Sequence, residues 1–182
     1  VSALLLSPHN DDETLFASGF CIAHNPHVVV VLRSQVQEDR YGITADTREQ
    51  ETGCALDTLG VTGWTQWPYL DSDPDWGAVE NALRSIDDRL QPDRVFAPAV
   101  ELGGHAHHNL VGDLAHVVFG DRVTSYLTYV RGNGRSRSDR EVPFMPAWPA
   151  VKLRALACYL SQIAEPSTRD WFLDGGLREW YA

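Results

Sequence analysis

The chain has 182 residues, 43% of them hydrophobic and 22% charged, a balance that suits one globular domain with its own core and excludes a mainly disordered protein. A formal net charge of −10 excludes nonspecific nucleic-acid binding, which needs a basic surface. No apolar run approaches the ~20 residues that cross a bilayer, so no membrane span is expected.

Val1-Ser-Ala-Leu-Leu-Leu6 predicts a buried strand over 3–6 and does not read as a signal segment. Met145 is the only methionine, so a processed start is expected. Directly after this run, Ser7-Pro-His-Asn-Asp-Asp-Glu13 crowds one histidine and three carboxylates at the strand exit. A helix over 12–24 and a strand over 28–32 come next. The following helix, over 46–59, is capped by Asp46 or Thr47 and stopped by Gly60. A third strand spans 62–67. The run Asp71-Ser-Asp-Pro-Asp75 hints at a calcium loop but has Trp76 and Ala82 where such a loop has Gly and Glu.

A helix over 76–90, closed near Pro92, precedes a fourth strand over 94–99 and a helix over 108–119. Residues 123–130 alternate, carry Tyr126 and Tyr129, and predict a more exposed strand. The segment 132–148 reads as a mobile loop, with four arginines between Arg131 and Arg140. A last helix is expected over 149–164. Apolar β-branched runs alternating with helical segments predict a single α/β domain over 1–182, a Rossmann-like three-layer α/β/α sandwich with a mostly parallel sheet. Cys21, Cys54 and Cys158 form neither a disulfide framework nor a metal motif, and read as buried thiols of a reducing, cytoplasmic setting.

In open parallel sheets, ligands bind beyond the carboxyl ends of the strands. Strands 1 and 4 both end in polar, histidine-bearing turns. His9 and Asp12 can turn toward one point, and zinc accepts such mixed N/O ligands, three from the protein and one position for water. The fourth strand leads to His105-Ala-His107-His108, where His105 and His108 share a side and His108 is the candidate third ligand. His107 reads as a bystander; His24, His27 and His116 read as surface or packing residues.

The two segments resemble the hallmark of the zinc-dependent de-N-acetylases of the PIG-L and LmbE group: Pro-His-x-Asp-Asp near the N-terminus and His-x-x-His downstream. Asn10 stands where that family often has proline. Weaker echoes run through Glu38, Gly42, Arg48, Glu51, Lys152 and Ser161-Gln162, with Tyr159 in place of a histidine common before Ser-Gln. The resemblance implies that His9, Asp12 and His108 hold Zn²⁺, with Fe²⁺ as another candidate for the same donors. It also implies that Asp11 is the general base.

Amide hydrolysis then needs positive charge or a donor at the oxyanion and a proton for the leaving amine, roles that suit His105 as an imidazolium. Arg48 and Glu38 are candidate substrate-binding residues, against a surface salt bridge of Arg48 with Glu51 or Asp57. Trp64, Trp67, Trp148 and Trp171 are candidates for sugar stacking or for packing. The expected activity is removal of an N-acetyl or N-acyl group from an N-acetylglucosamine-type conjugate, the small-molecule partner. The alternatives are a metal-dependent amidase of natural-product tailoring and a non-catalytic, metal-stabilised binding module. The loop over 132–148 is a candidate to close the cleft.

Overall fold

Leu4, Leu5 and Leu6 of β1 (Ala3–Ser7) are all fully buried. Leu5 packs with Val28, Ala55 and Leu56, whereas Leu4 and Leu6 join Val29, Val95 and Val111 in a second core. A strand covered by helices on both faces has to be apolar at every position, which is why this run does not alternate. Burying each leucine contributes roughly 1.5–3 kcal/mol. The structure, a computed structural model, describes residues 3–128, 140–141, 145–170, 172 and 179–181, with backbone alone at 140, 141, 167 and 170.

β1 pairs in parallel with β2 (His27–Arg33) on one side and β4 (Arg94–Pro98) on the other. β3 (Gly63–Leu70) extends the sheet beyond β2, and β5 (Val123–Tyr126) extends it beyond β4, both in parallel. β6 (Arg140–Glu141) and β7 (Trp180–Tyr181) add antiparallel pairs at the β5 edge, giving the order β3-β2-β1-β4-β5-β7-β6. One face is covered by α4 (Ala45–Leu59) and α7 (Trp148–Leu156), the other by α5 (Trp76–Leu90) and α6 (Ala106–Phe119). This is the expected single-domain, mostly parallel α/β/α sandwich. The strand order reverses between β1 and β4, so a crevice opens beyond their carboxyl ends.

Gly112 sets how close α6 lies to β4. A Cβ there would stand 2.4 Å from the Pro98 carbonyl oxygen, a backbone atom that cannot swing aside. We predict that Gly112→Ala lowers stability by about 1–3 kcal/mol, the usual cost of overpacking, read as a shift in the denaturant midpoint. An unchanged midpoint would contradict this tight approach.

Several expected boundaries move for identifiable reasons. The helix over 12–24 is two, α1 (Asp12–Phe16) and α2 (Ser18–His24), broken at Ala17. A continuous helix would bond the Gly19 amide to the Leu15 carbonyl. Instead the amides of Ser18 and Gly19 donate to Glu179 at 2.8 and 2.9 Å, and Lys152 Nζ donates to the Leu15 carbonyl at 2.7 Å. Lys152 and Glu179 are themselves paired at 2.6 Å and fully buried. Glu179→Ala would strand the Lys152 charge, so we predict a loss of about 3–5 kcal/mol by urea denaturation. An unchanged midpoint would contradict this strap.

The helix over 149–164 is also two, α7 and α8 (Leu160–Ala164); the turn between them carries Cys158 to Cys54 and Tyr159 into the core. Cys54 and Cys158 form a disulfide with Cα atoms 5.8 Å apart, and Cys21 alone is a free, buried thiol. The reading of three thiols is therefore corrected, and the reducing, cytoplasmic setting loses the support it drew from them.

Thr44, not Asp46 or Thr47, caps α4, by accepting the Thr47 amide at 3.1 Å. An unexpected short helix, α3 (Val36–Tyr41), starts where Asp71 Oδ1 accepts the amides of Gln35 and Val36 at 2.7 and 2.9 Å. Asp75 caps α5, so both ends of the acidic run serve helix starts. The fifth strand ends at Tyr126; Tyr129 and Val130, like 132–139 and 142–144 of the expected mobile loop, lie outside the described residues. Among the described residues no helix is long and apolar enough to cross a membrane.

Candidate active site

The turn after β1 brings His9 and Asp12 to the crevice, and the start of α6 brings His108 from the β4 side. His9 Nδ1 lies 3.2 Å from Asp12 Oδ2 and 3.2 Å from His108 Nε2, and His108 Nε2 lies 3.1 Å from the same carboxylate oxygen. In a tetrahedral zinc site with bonds of 2.0–2.1 Å, neighbouring donor atoms stand about 3.3–3.4 Å apart. The three atoms therefore already have nearly the spacing a bound cation requires. Asp12 and His108 are buried, and Asp12 Oδ1 has no hydrogen-bond partner among the described residues. Burial alone would raise the Asp12 pKa, but attraction and hydrogen bonding to His108 and His9 prevail and hold it well below the usual carboxylate range. An anionic oxygen beside two imidazole nitrogens is a donor set that fits a divalent metal.

A second triple shares two of these residues. Ring nitrogens of His9, His105 and His108 all lie within 4.8 Å of one another. His105 is the N-cap of α6, which starts at Ala106 and not at His108, and its ring sits 5.0 Å from those of His9 and His108. Burial, then the neighbouring imidazoles of His9, His108 and His107, push its pKa down to about 4. His105 is thus a neutral imidazole near pH 7. This goes against the expected imidazolium: burial, with the imidazoles around it, outweighs the nearby Asp12 carboxylate.

Asp11 sits between the metal-type cluster and a buried arginine. Its backbone has φ 120°, a left-handed conformation that costs a non-glycine residue of order 1–3 kcal/mol and persists only where the surroundings enforce it. They do. The Asp11 amide donates to Glu13 Oε2 at 3.1 Å, and its carbonyl accepts the amides of Thr14 and Leu15 at 2.9 and 2.8 Å. Arg48 Nη2 donates to Asp11 Oδ2 at 2.6 Å and also to the Asn10 carbonyl.

Glu13, in the first turn of α1, is fully buried and accepts from Ser7 Oγ, Thr14 Oγ1 and the Tyr159 hydroxyl. Burial raises its pKa against those hydrogen bonds. Burial likewise raises the Asp11 carboxyl to about 7, opposed by Arg48 and assisted by the charges of Asp12 and Glu13.

Arg48 is 2% exposed, and its Nη1 donates to Glu51 at 3.0 Å. Glu51 in turn accepts the amide and hydroxyl of Ser161, so the α4 motif residues are engaged with the protein itself, and Asp57 is not the partner. A cavity of about 370 Å³ opens over His9, Asp11, Arg48 and His105, with Val36, Arg40 and Tyr41 of α3 along its wall. Gln37 and Gln162 exchange amide hydrogen bonds of 3.0 and 2.9 Å, tying α3 to α8. Glu38 is exposed on α3 and lines a separate pocket with Arg33 and Asp46. Trp64, Trp67 and Trp148 do not line the site cavity, and Trp171 lies outside the described residues.

The model of the GlcNAc-PI de-N-acetylase (PIG-L) family matches residues 4–119, from β1 to the end of α6, and so spans both histidine segments. The chain belongs to the PIG-L family. No curated protein matches it. Among solved structures, the zinc-inhibited form of teicoplanin deacetylase Orf2 is similar at 18% identity and TM-score 0.77, over 100% of this chain and 97% of that one. N,N'-diacetylchitobiose deacetylase from Pyrococcus horikoshii is similar at 16% identity and TM-score 0.66, over 100% and 82%. GalB, a 4-carboxy-2-hydroxymuconate hydratase from Pseudomonas putida, is similar at 18% identity and TM-score 0.69, over 95% and 83%.

At such identities the likeness concerns the fold, and one fold carries different chemistries, so activity has to be argued from the site. Within this PIG-L member, sequence reasoning brought together His9, Asp11, Asp12, His105 and His108. It missed Tyr159, Glu13 and Glu179 as buried partners; the only signal was their proximity to motif residues or, for Glu179, none.

Proposed function

We propose that this PIG-L family member is a zinc-dependent N-deacetylase that removes the acetyl group from an N-acetylglucosamine-type sugar conjugate. The observation that carries this reading is the triangle of His9 Nδ1, Asp12 Oδ2 and His108 Nε2, 3.1–3.2 Å on a side, with Asp11, the residue before Asp12, lining a cavity together with His9. The zinc-inhibited teicoplanin deacetylase and the chitobiose deacetylase among the structural neighbours support a metal and an N-acetylated sugar.

His9, Asp12 and His108 would hold the ion, which when bound polarises a carbonyl and acidifies water. Asp11 accepts a proton from the attacking water and returns it to the nitrogen as the C–N bond breaks, so that acetate and a free amine leave. Arg48 keeps the Asp11 carboxylate aimed, and Glu13 holds its backbone in the left-handed conformation that turns the side chain outward from the helix. His105, as a neutral imidazole, offers an N–H to the developing oxyanion. The cavity of about 370 Å³, with Arg40 and Tyr41 in its lining, has the volume for a sugar-sized group.

Zinc-loaded protein incubated with an N-acetylglucosaminyl glycoside is expected to release acetate and a primary amine in equal amounts. A chelator should stop the reaction and added zinc restore it. Tight zinc binding with no acetate from any N-acetylated sugar would instead favour the non-catalytic, metal-stabilised module.

A further inference from the structure

We propose that His107 is a positioning residue of the metal centre: it accepts a hydrogen bond from the far ring nitrogen of His9 and thereby fixes which nitrogen His9 presents to the cation. The inference rests on the metal-dependent reading above and assigns a role to a residue whose place in the motif suggested none.

The two ring nitrogens of His9 face opposite ways. Nδ1 meets Asp12 Oδ2 and His108 Nε2, each at 3.2 Å. Nε2 lies 2.9 Å from His107 Nδ1, its one hydrogen-bond partner among the described residues. A ligating imidazole is neutral and offers its lone pair to the metal, so its single proton must sit on the other nitrogen. With Nδ1 turned to the cation, the His9 proton is on Nε2 and needs an acceptor. His107 Nδ1 is placed to be that acceptor, which puts the His107 proton on its own Nε2. Metal-ligating histidines usually give this proton to a carboxylate, a carbonyl or water. Here a second imidazole takes it.

The arrangement is built into the start of α6. Consecutive residues of one helical turn serve both sides of His9: His108 supplies a donor atom beside its Nδ1, and His107 receives its Nε2. The His107 ring is braced in turn, 5.8 Å from the Trp76 ring at the start of α5 and 5.0 Å from the His105 ring. The β1 and β4 ends of the crevice are therefore joined by this hydrogen bond as well as by any shared metal. Without it, the His9 ring is free to flip and offer the wrong nitrogen.

The test is zinc affinity of the full chain, measured by chelator competition on wild type, His107→Phe and His107→Asn. Phenylalanine keeps a planar ring but cannot accept; asparagine Oδ1 occupies nearly the position of histidine Nδ1. Loss of such an outer partner typically costs about 10–100-fold in metal affinity. We expect that loss for His107→Phe and wild-type affinity, within about threefold, for His107→Asn. The circular dichroism spectrum and melting midpoint of the chelated proteins should stay together, which separates a lost acceptor from lost structure. Equal zinc affinity in wild type and His107→Phe would overturn the proposal. Equal weakening in both variants would overturn it too, since only packing would then matter. Absence of zinc binding in wild type itself would instead overturn the underlying metal reading.

Discussion

Asp11→Asn will lower kcat for acetate release by about 10²–10⁴-fold, the usual contribution of a positioned general base, while zinc content stays at the wild-type level. Asparagine is the informative substitution because it tolerates positive φ far better than alanine, and Asp11 sits at φ 120°. It also leaves an oxygen for Arg48, so the change removes proton acceptance with little else. Undiminished turnover in this variant would remove Asp11 from the mechanism; lost zinc would mean that it is a ligand.

The pH profile carries the same assignment. Burial, with the charges of Asp12 and Glu13, raises the Asp11 carboxyl to about 7 against the pull of Arg48. A base must be unprotonated, so kcat/KM should rise with pH along an acid limb set by Asp11. A bound dication favours the carboxylate, so that limb belongs below pH 7 in the zinc-loaded enzyme. It should vanish with the residual activity of Asp11→Asn.

Asp12→Ala will lose zinc affinity by more than the roughly 10–100-fold typical of outer-shell losses, and activity with it. Asp12 Oδ2 is the atom shared by both short contacts, 3.2 Å to His9 and 3.1 Å to His108, and it is the one anionic donor in the triangle. Removing it leaves two imidazoles, too few to hold a catalytic zinc. His105→Ala makes the contrast, because His105 belongs only to the looser cluster with His9 and His108. Dialysed His105→Ala should keep its zinc and lose turnover. Metal analysis giving the opposite pattern, zinc kept without Asp12 and lost without His105, would transfer the site to the three histidines.

Much of this site was legible because its chemistry is local. His9, Asp11 and Asp12 lie within one turn, and the reversal of strand order between β1 and β4 dictates where a second histidine segment has to meet them. The buried scaffold was not legible, because it depends on pairings across the chain. Nothing near Glu179 announces that its carboxylate takes the Ser18 and Gly19 amides, so the break at Ala17 could not be foreseen from a helical pattern that runs on to His24. Glu13 stands in the sequence as an ordinary first-turn acid; the Tyr159 hydroxyl, 146 residues away in the chain, is a partner that no local pattern announces. The cysteines were misread for the same reason, since Cys54 and Cys158 are 104 residues apart and meet only because α4 and α7 pack on one face. The charge expected on His105 runs against its burial, which together with the neighbouring imidazoles outweighs the carboxylate that was visible in the motif.

On the proposed function, the metal belongs to His9, Asp12 and His108 while Asp11 stays off it. A crystal of the zinc-loaded chain, with anomalous differences recorded on both sides of the zinc edge, tests this most directly. One strong peak is expected about 2.0–2.2 Å from His9 Nδ1, Asp12 Oδ2 and His108 Nε2, with the Asp11 carboxylate outside bonding distance. A peak bonded to His105 in place of Asp12, or bonded to Asp11, would contradict it.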